Sequence, residues 1–114
     1  MTSRFHFALA TGLPVAVMAI GGRGLISVAS NAVPAEMVQI IELAERGDFA
    51  AARRLHGWLL PFLQVNFVEA NPIPVKAALA MLGRPAGPPR LPLVPATAEE
   101  TQRVRSALEE AGLL

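Results

Sequence analysis

The chain carries a single lysine, Lys76, two histidines, His6 and His56, and neither cysteine nor tyrosine. A lysine amine with a lowered pKa can hold a carbonyl substrate as a Schiff base, so Lys76 is the one residue with that capacity. It follows Asn71-Pro72-Ile73-Pro74-Val75, however, and no neighbour in sequence would depress its pKa. A solvated lysine, or one paired with a carboxylate, is the plainer expectation. Two distant imidazoles without a thiolate give no reason to expect a metal centre, and the expected role of His56, like that of Trp58, is packing or partial exposure. Three glycines in four positions, Gly21-Gly22-Arg23-Gly24, invite comparison with a phosphate cradle. Here they precede an apolar β-branched run and no helix start follows them directly, so the dinucleotide fingerprint is absent. Neither a paired-carboxylate motif nor a Ser-His-Asp arrangement can be defended. On residue types and spacing alone, the chain lacks the parts of an enzyme.

The elements that would position these residues belong to an unusually apolar chain. Of 114 residues, 53% are apolar and 17% charged, against an ordinary charged share of about 25%. Such a chain packs against something else or is part of something larger. A net charge of +1 offers no footprint for nucleic acid or anionic lipid. Cysteine-free composition removes disulfides and thiol chemistry and is compatible with the cytoplasm. Residues 5–20, apolar after Arg4, imitate a secretory signal. Pro14 interrupts that run, and the glycine cluster ends it short of the roughly 20 apolar residues of a membrane span. A buried helix or strand is expected there instead.

Leu25-Ile26-Ser27-Val28 reads as a strand buried on both faces, as in a parallel sheet. No second convincing strand is offered to pair with it. Pro34 opens a helix whose Met37, Ile40, Ile41 and Ala44 form one apolar stripe, and Gly47 ends it. Asp48 caps a longer helix with an expected apolar face of Phe49, Ala52, Leu55, Leu59, Leu60, Leu63 and Phe67; Pro61 should kink it near Gly57. The stretch from Glu69 through Lys76, with two prolines, reads as a rigid connector, and Lys76 begins a third helix with Leu79 and Leu82 on one face, which Gly83 ends. Five prolines between Arg84 and Pro95 make an extended surface strap. Thr97-Ala98-Glu99-Glu100 has capping-box spacing and starts a last helix with Val104, Leu108 and Ala111 on one face.

Taken together these motifs resemble one family, the 4-hydroxy-tetrahydrodipicolinate synthases, also called dihydrodipicolinate synthases. Gly21-Gly22-Arg23-Gly24-Leu25-Ile26-Ser27-Val28-Ala29-Ser30-Asn31 is similar to the family's last-strand region, as are Pro34-Ala35-Glu36-Met37 and the helix start at Gly47-Asp48-Phe49. Asn66-Phe67-Val68-Glu69-Ala70-Asn71-Pro72-Ile73-Pro74-Val75-Lys76 is the most specific match, and Leu91-Pro92-Leu93 with the segment from Val104 to Leu114 resembles the family's C-terminal end. The resemblance covers residues 13–114. It implies an α/β fold, a (β/α)8 TIM barrel followed by a helical C-terminal domain, of which this chain would hold only a mostly α C-terminal fragment. Residues 13–47 would be the last helix-strand-helix of the barrel and 48–114 the helical C-terminal domain. Residues 1–12 match none of the pattern, as a false start, a shifted reading frame or a recombined end would.

The family condenses pyruvate with L-aspartate 4-semialdehyde through a Schiff base on a barrel lysine, as a homotetramer, in lysine and diaminopimelate biosynthesis. That lysine and its tyrosine and threonine companions belong to the part not represented here, and Lys76 does not match its position. No catalytic residue therefore carries over, and no metal or cofactor is implied. Of the substrate-contacting positions only Ile26 carries over, through its backbone carbonyl near bound pyruvate. The expected partners are a second copy of the chain or the complementary part of the barrel, with neither nucleic acid nor membrane. The alternative to an inactive synthase fragment is a helical interaction module that associates with the full-length enzyme or a separate N-terminal half.

Overall fold

A computed structural model of the chain describes residues 7–9 and 12–114. The elements run β1 (Phe7–Leu9), α1 (Pro14–Ala19), β2 (Gly24–Ile26), a single 3-10 turn (Ala29–Asn31), α2 (Pro34–Glu45), α3 (Phe49–Val65), α4 (Ile73–Met81) and α5 (Ala98–Glu110). The chain divides into two compact units, residues 1–58 and 59–114.

In the first unit β1 and β2 pair in parallel, Phe7 opposite Gly24, Ala8 opposite Leu25 and Leu9 opposite Ile26. Parallel strands require a crossover, and α1 supplies it, so the order β-α-β-α is that of an α/β repeat. The expectation of a lone strand is overturned: a partner lies within the first dozen residues, in a three-residue run too short to announce itself by periodicity. The strand is also shorter than expected, because Ser27 and Val28 already belong to the turn. Nor is β2 buried on both faces, since Ile26 is 65% exposed. Beside β1 no other strand pairs with it among the described residues.

Pro14 and Pro34 each sit in the first turn of a helix, where a missing N–H costs nothing. Met37, Ile40 and Ala44 of α2 are buried as the stripe predicts. Met18, Ala44 and Ala52 form a small core against which Val15, Ile41 and Leu43 pack, tying α1, α2 and the start of α3 together.

Asp48 caps α3, its Oδ1 accepting from the Ala51 N–H at 3.1 Å. The helix continues through Pro61 to Val65. Its buried face differs from expectation at both ends. Phe49 is 37% and Phe67 62% exposed, while Phe62 is fully buried. Spacing accounts for it: the stripe runs through Ala52, Leu59, Phe62 and Leu63 at helical intervals and continues to Asn66, just past the last helical residue, Val65. Phe67 falls off it, and Phe49 stands at the first helical position.

The second unit contains a further correction. Ile73-Pro74-Val75 is no connector but the first turn of α4, with Pro74 at a position that needs no N–H, so Lys76 is already inside the helix. Ile73, Pro74, Val75 and Ala78 are buried. The strap between α4 and α5 has the expected irregular, largely exposed course, with one turn closed by the Leu93 N–H donating to the Arg90 carbonyl at 3.0 Å. Helix α5 begins in a full capping box: Thr97 Oγ1 accepts from the Glu100 N–H at 3.2 Å, and a Glu100 carboxylate oxygen accepts from the Thr97 N–H at 2.8 Å. Val104, Ala107, Leu108 and Ala111 face the core.

Candidate functional site

The C-terminal end of β2 is where a parallel α/β sheet would bind a ligand. There the backbone is held by its own turn. The Ser30 N–H donates to Ser27 Oγ at 3.3 Å, and both the Asn31 N–H and its Nδ2 donate to the Val28 carbonyl, at 3.1 and 3.0 Å. Ala29, Ala32 and Val33 anchor this turn in the core at 0%, 1% and 2% exposure. Ile26 is therefore the last residue of a short strand on a fixed turn, with its side chain largely in the open. Its carbonyl can accept a hydrogen bond and nothing more. The 24–31 segment has no lysine, histidine, cysteine or carboxylate, and its hydroxyls, Ser27 and Ser30, have no general base within it to activate them, so chemistry at this edge would need groups from elsewhere.

The glycine cluster is a helix stop and not a cradle. Gly21 has φ +100°, and its N–H donates to the Met18 carbonyl at 3.2 Å while the Gly22 N–H donates to Val17 at 2.9 Å. That is the Schellman pattern at the end of α1, and it uses the very N–H groups a phosphate would need. Gly22 is further required by close approach: a Cβ there would stand 2.5 Å from Val17 Cγ1 and 2.7 Å from the Val17 carbonyl oxygen. Arg23 faces Glu45 at 3.9 Å, an exposed pairing of little energetic weight.

Lys76 lies in the other unit. Its Nζ donates to the Pro88 carbonyl at 3.1 Å, so its partner is the backbone of the strap and not a carboxylate. His56 Nε2 is 3.0 Å from the Gly12 carbonyl. Because a carbonyl only accepts, the proton belongs on Nε2, and the ring tethers the approach to α1. Trp58 is 48% exposed. His6 lies outside the described residues. Among the described residues no group of three or more His, Cys, Asp or Glu side chains could hold a metal ion, and no helix is long and apolar enough to cross a membrane.

Sequence reasoning names Asn66 only as the start of the most specific family match and misses its burial. It is 1% exposed, its Nδ2 donates to the Phe62 carbonyl at 2.7 Å, and its Oδ1 has no hydrogen-bond partner among the described residues. Its place on the α3 stripe, one turn beyond Phe62 and Leu63, was the available signal. The Thr97 N–H hydrogen bond holds the Glu100 carboxyl below the usual glutamate range.

Comparison with known proteins agrees with this geometry. The sequence profile of the Dihydrodipicolinate synthetase family matches residues 10–111. A 4-hydroxy-tetrahydrodipicolinate synthase of Methanocaldococcus jannaschii is 45% identical over 102 residues, covering 90% of this chain and 35% of that protein. The crystal structure of dihydrodipicolinate synthase from Thermotoga maritima superposes with a TM-score of 0.91 at 38% identity, over 96% of this chain and 37% of that one. The chloride-inhibited dihydrodipicolinate synthase from Acinetobacter baumannii, complexed with pyruvate, gives a TM-score of 0.89 at 31% identity, over 95% and 37%. The chain thus spans little more than a third of the length of the relatives it matches, and it is the mostly helical C-terminal portion of a TIM-barrel fold. The chain belongs to the Dihydrodipicolinate synthetase family.

Proposed function

We propose that this chain is the C-terminal part of a Schiff-base lyase that condenses pyruvate with L-aspartate 4-semialdehyde in the cytoplasm, and that it has no activity by itself. Residues 13–47 supply the last helix-strand-helix of the barrel, and 48–114 the helical C-terminal domain. In this reading Ile26 contributes its backbone carbonyl to the pyruvate site, while the amine that forms the Schiff base, and the groups that move protons, come from the rest of the barrel. The observation that supports it is the open end of β2: a fixed strand terminus at the ligand-binding edge of a parallel sheet, with neither an amine nor a general base in the 24–31 segment. The A. baumannii relative, described as complexed with pyruvate, is consistent with that substrate.

The exposed side chains of the first unit favour association as well. Leu13, Ile20, Ile26 and Val38 are each more than half exposed, and β2 has one paired edge among the described residues. An open strand edge beside apolar side chains templates pairing. The partner is a second copy or a chain carrying the earlier barrel strands.

Two measurements test this reading. Incubation with pyruvate and borohydride, followed by mass spectrometry, should leave Lys76 unmodified; a pyruvate-derived mass increase there would overturn the claim of inactivity. Co-expression with the complementary two-thirds of the M. jannaschii relative should restore condensation activity that neither piece has alone. A stable complex of the two pieces without activity would reject the assignment of Ile26 to a shared pyruvate site.

A further inference from the structure

The strap and Lys76 have no part in the proposed condensation, yet they meet in a groove of about 480 Å3 within the second unit. Ile73, Ala77 and Met81 of α4 and Pro89 of the strap give it an apolar wall, and Lys76, Thr101 and Arg105 also line it. No aspartate or glutamate is among the lining residues. The volume falls within the range of roughly 300–1,000 Å3 typical of small-molecule sites, where a mostly apolar lining carries a few polar groups that fix orientation.

We propose that this groove binds a small monocarboxylate with a branched or cyclic hydrocarbon body. The charge pattern selects an anion: two cations and a hydroxyl line a wall that offers no competing carboxylate. Lys76 spends one N–H on the Pro88 carbonyl and keeps two. Arg105 is in no ion pair among the described residues, and its planar fork suits a carboxylate. The apolar wall selects the rest of the ligand and disfavours a second charge, which would lose its water without a partner. An anion beside Lys76 adds to the strap's clamp instead of replacing it, so ligand and strap are held by one ammonium group.

Because Lys76 is the sole lysine, amine acetylation of the full chain reports on it and on the α-amino group alone, and peptide mass spectrometry separates the two. 4-Methylpentanoate should slow acetylation of Lys76 saturably while leaving the α-amino rate unchanged; 4-methylpentanamide should do neither. Arg105→Gln, at an exposed position of α5, should raise the half-protecting concentration about tenfold, the weight of one charge-assisted hydrogen-bond pair. Absence of protection across the millimolar range, equal protection by the amide, or an unchanged midpoint in Arg105→Gln would each overturn the proposal.

Discussion

The two units bury their side chains to very different degrees. Among the nine largest fully buried side chains of the described residues, Leu59, Phe62, Leu63, Asn66, Pro74, Val104 and Leu108 lie in residues 59–114, and only Pro14 and Ile40 lie before them. Exposed large hydrophobics run the other way: Leu13, Ile20, Ile26, Val38, Phe49 and Trp58 fall in the first unit, against Phe67, Leu91, Val94 and Leu114 in the second. Helices close in sequence can cover one another's apolar faces. A two-stranded parallel sheet cannot, because each strand needs neighbours on both sides and layers on both faces. The second unit is thus nearer to self-sufficient than the first, although both are cut from one fold.

The largest expected effect tests the better-packed unit. Phe62→Ala removes its largest fully buried side chain and should cost about 3–5 kcal/mol, the usual range for a core phenylalanine. Denaturant unfolding, followed by amide exchange in Ala98–Glu110, would measure it. A loss under about 1 kcal/mol would mean that the unit can collapse around the cavity, and that its burial is not the source of its stability.

In the first unit the sharpest steric constraint is Gly22. Gly22→Ala places a methyl group against the Val17 carbonyl, which no side-chain rotation can relieve. The expected cost is roughly 1–3 kcal/mol, seen as faster amide exchange in Pro14–Ala19 and Gly24–Ile26. Unchanged exchange would show that this unit's backbone is loose enough to absorb the group, which widens the contrast drawn above.

The smallest effect concerns the cap of α5. Thr97→Ala removes the hydroxyl that accepts from the Glu100 N–H and should cost about 1 kcal/mol. The pH dependence has a definite sign. The Glu100 carboxyl is held below its ordinary value by the Thr97 N–H, so its contribution is full above the ordinary glutamate range and fades as the pH falls through and below it. Thermal melts at neutral and acid pH should show Glu100→Gln destabilising the chain at neutral pH and converging on the parent in acid. A gap that stays constant with pH would exclude the ionised carboxylate as the capping group.

How legible each region was follows from the range of the interactions that make it. Helix α2 and the start of α5 were readable because a stripe and a capping box are written within a few residues. The β1 strand was not, since Phe7-Ala8-Leu9 becomes a strand only by pairing with residues 24–26, across a helix. The start of α4 was misplaced because Pro74 is compatible with both an extended connector and a first helical turn; burial of Ile73 and Val75 decides it, and burial is not local. At the candidate site, Ile26 came from family resemblance alone. Its exposure on a short strand offers no signal that composition or spacing could supply.

Four of the five helices described, α1, α2, α4 and α5, stop in the same way. Gly21, Gly47, Gly83 and Gly112 adopt positive φ, and the paired hydrogen bonds of the Schellman pattern close each end. Only glycine takes that backbone without steric cost. Each stop is complete within a handful of consecutive residues and calls on no distant partner, so helix length is fixed by the chain's own punctuation. The chain therefore carries finished helices, not ragged ones, and it superposes with a TM-score of 0.91 on a structure of which it covers 37%. For a gene that is split, shuffled or rejoined, the loops just past these glycines are the natural seams: a break there transmits whole helices, whereas a break one turn earlier transmits a helix with no ending.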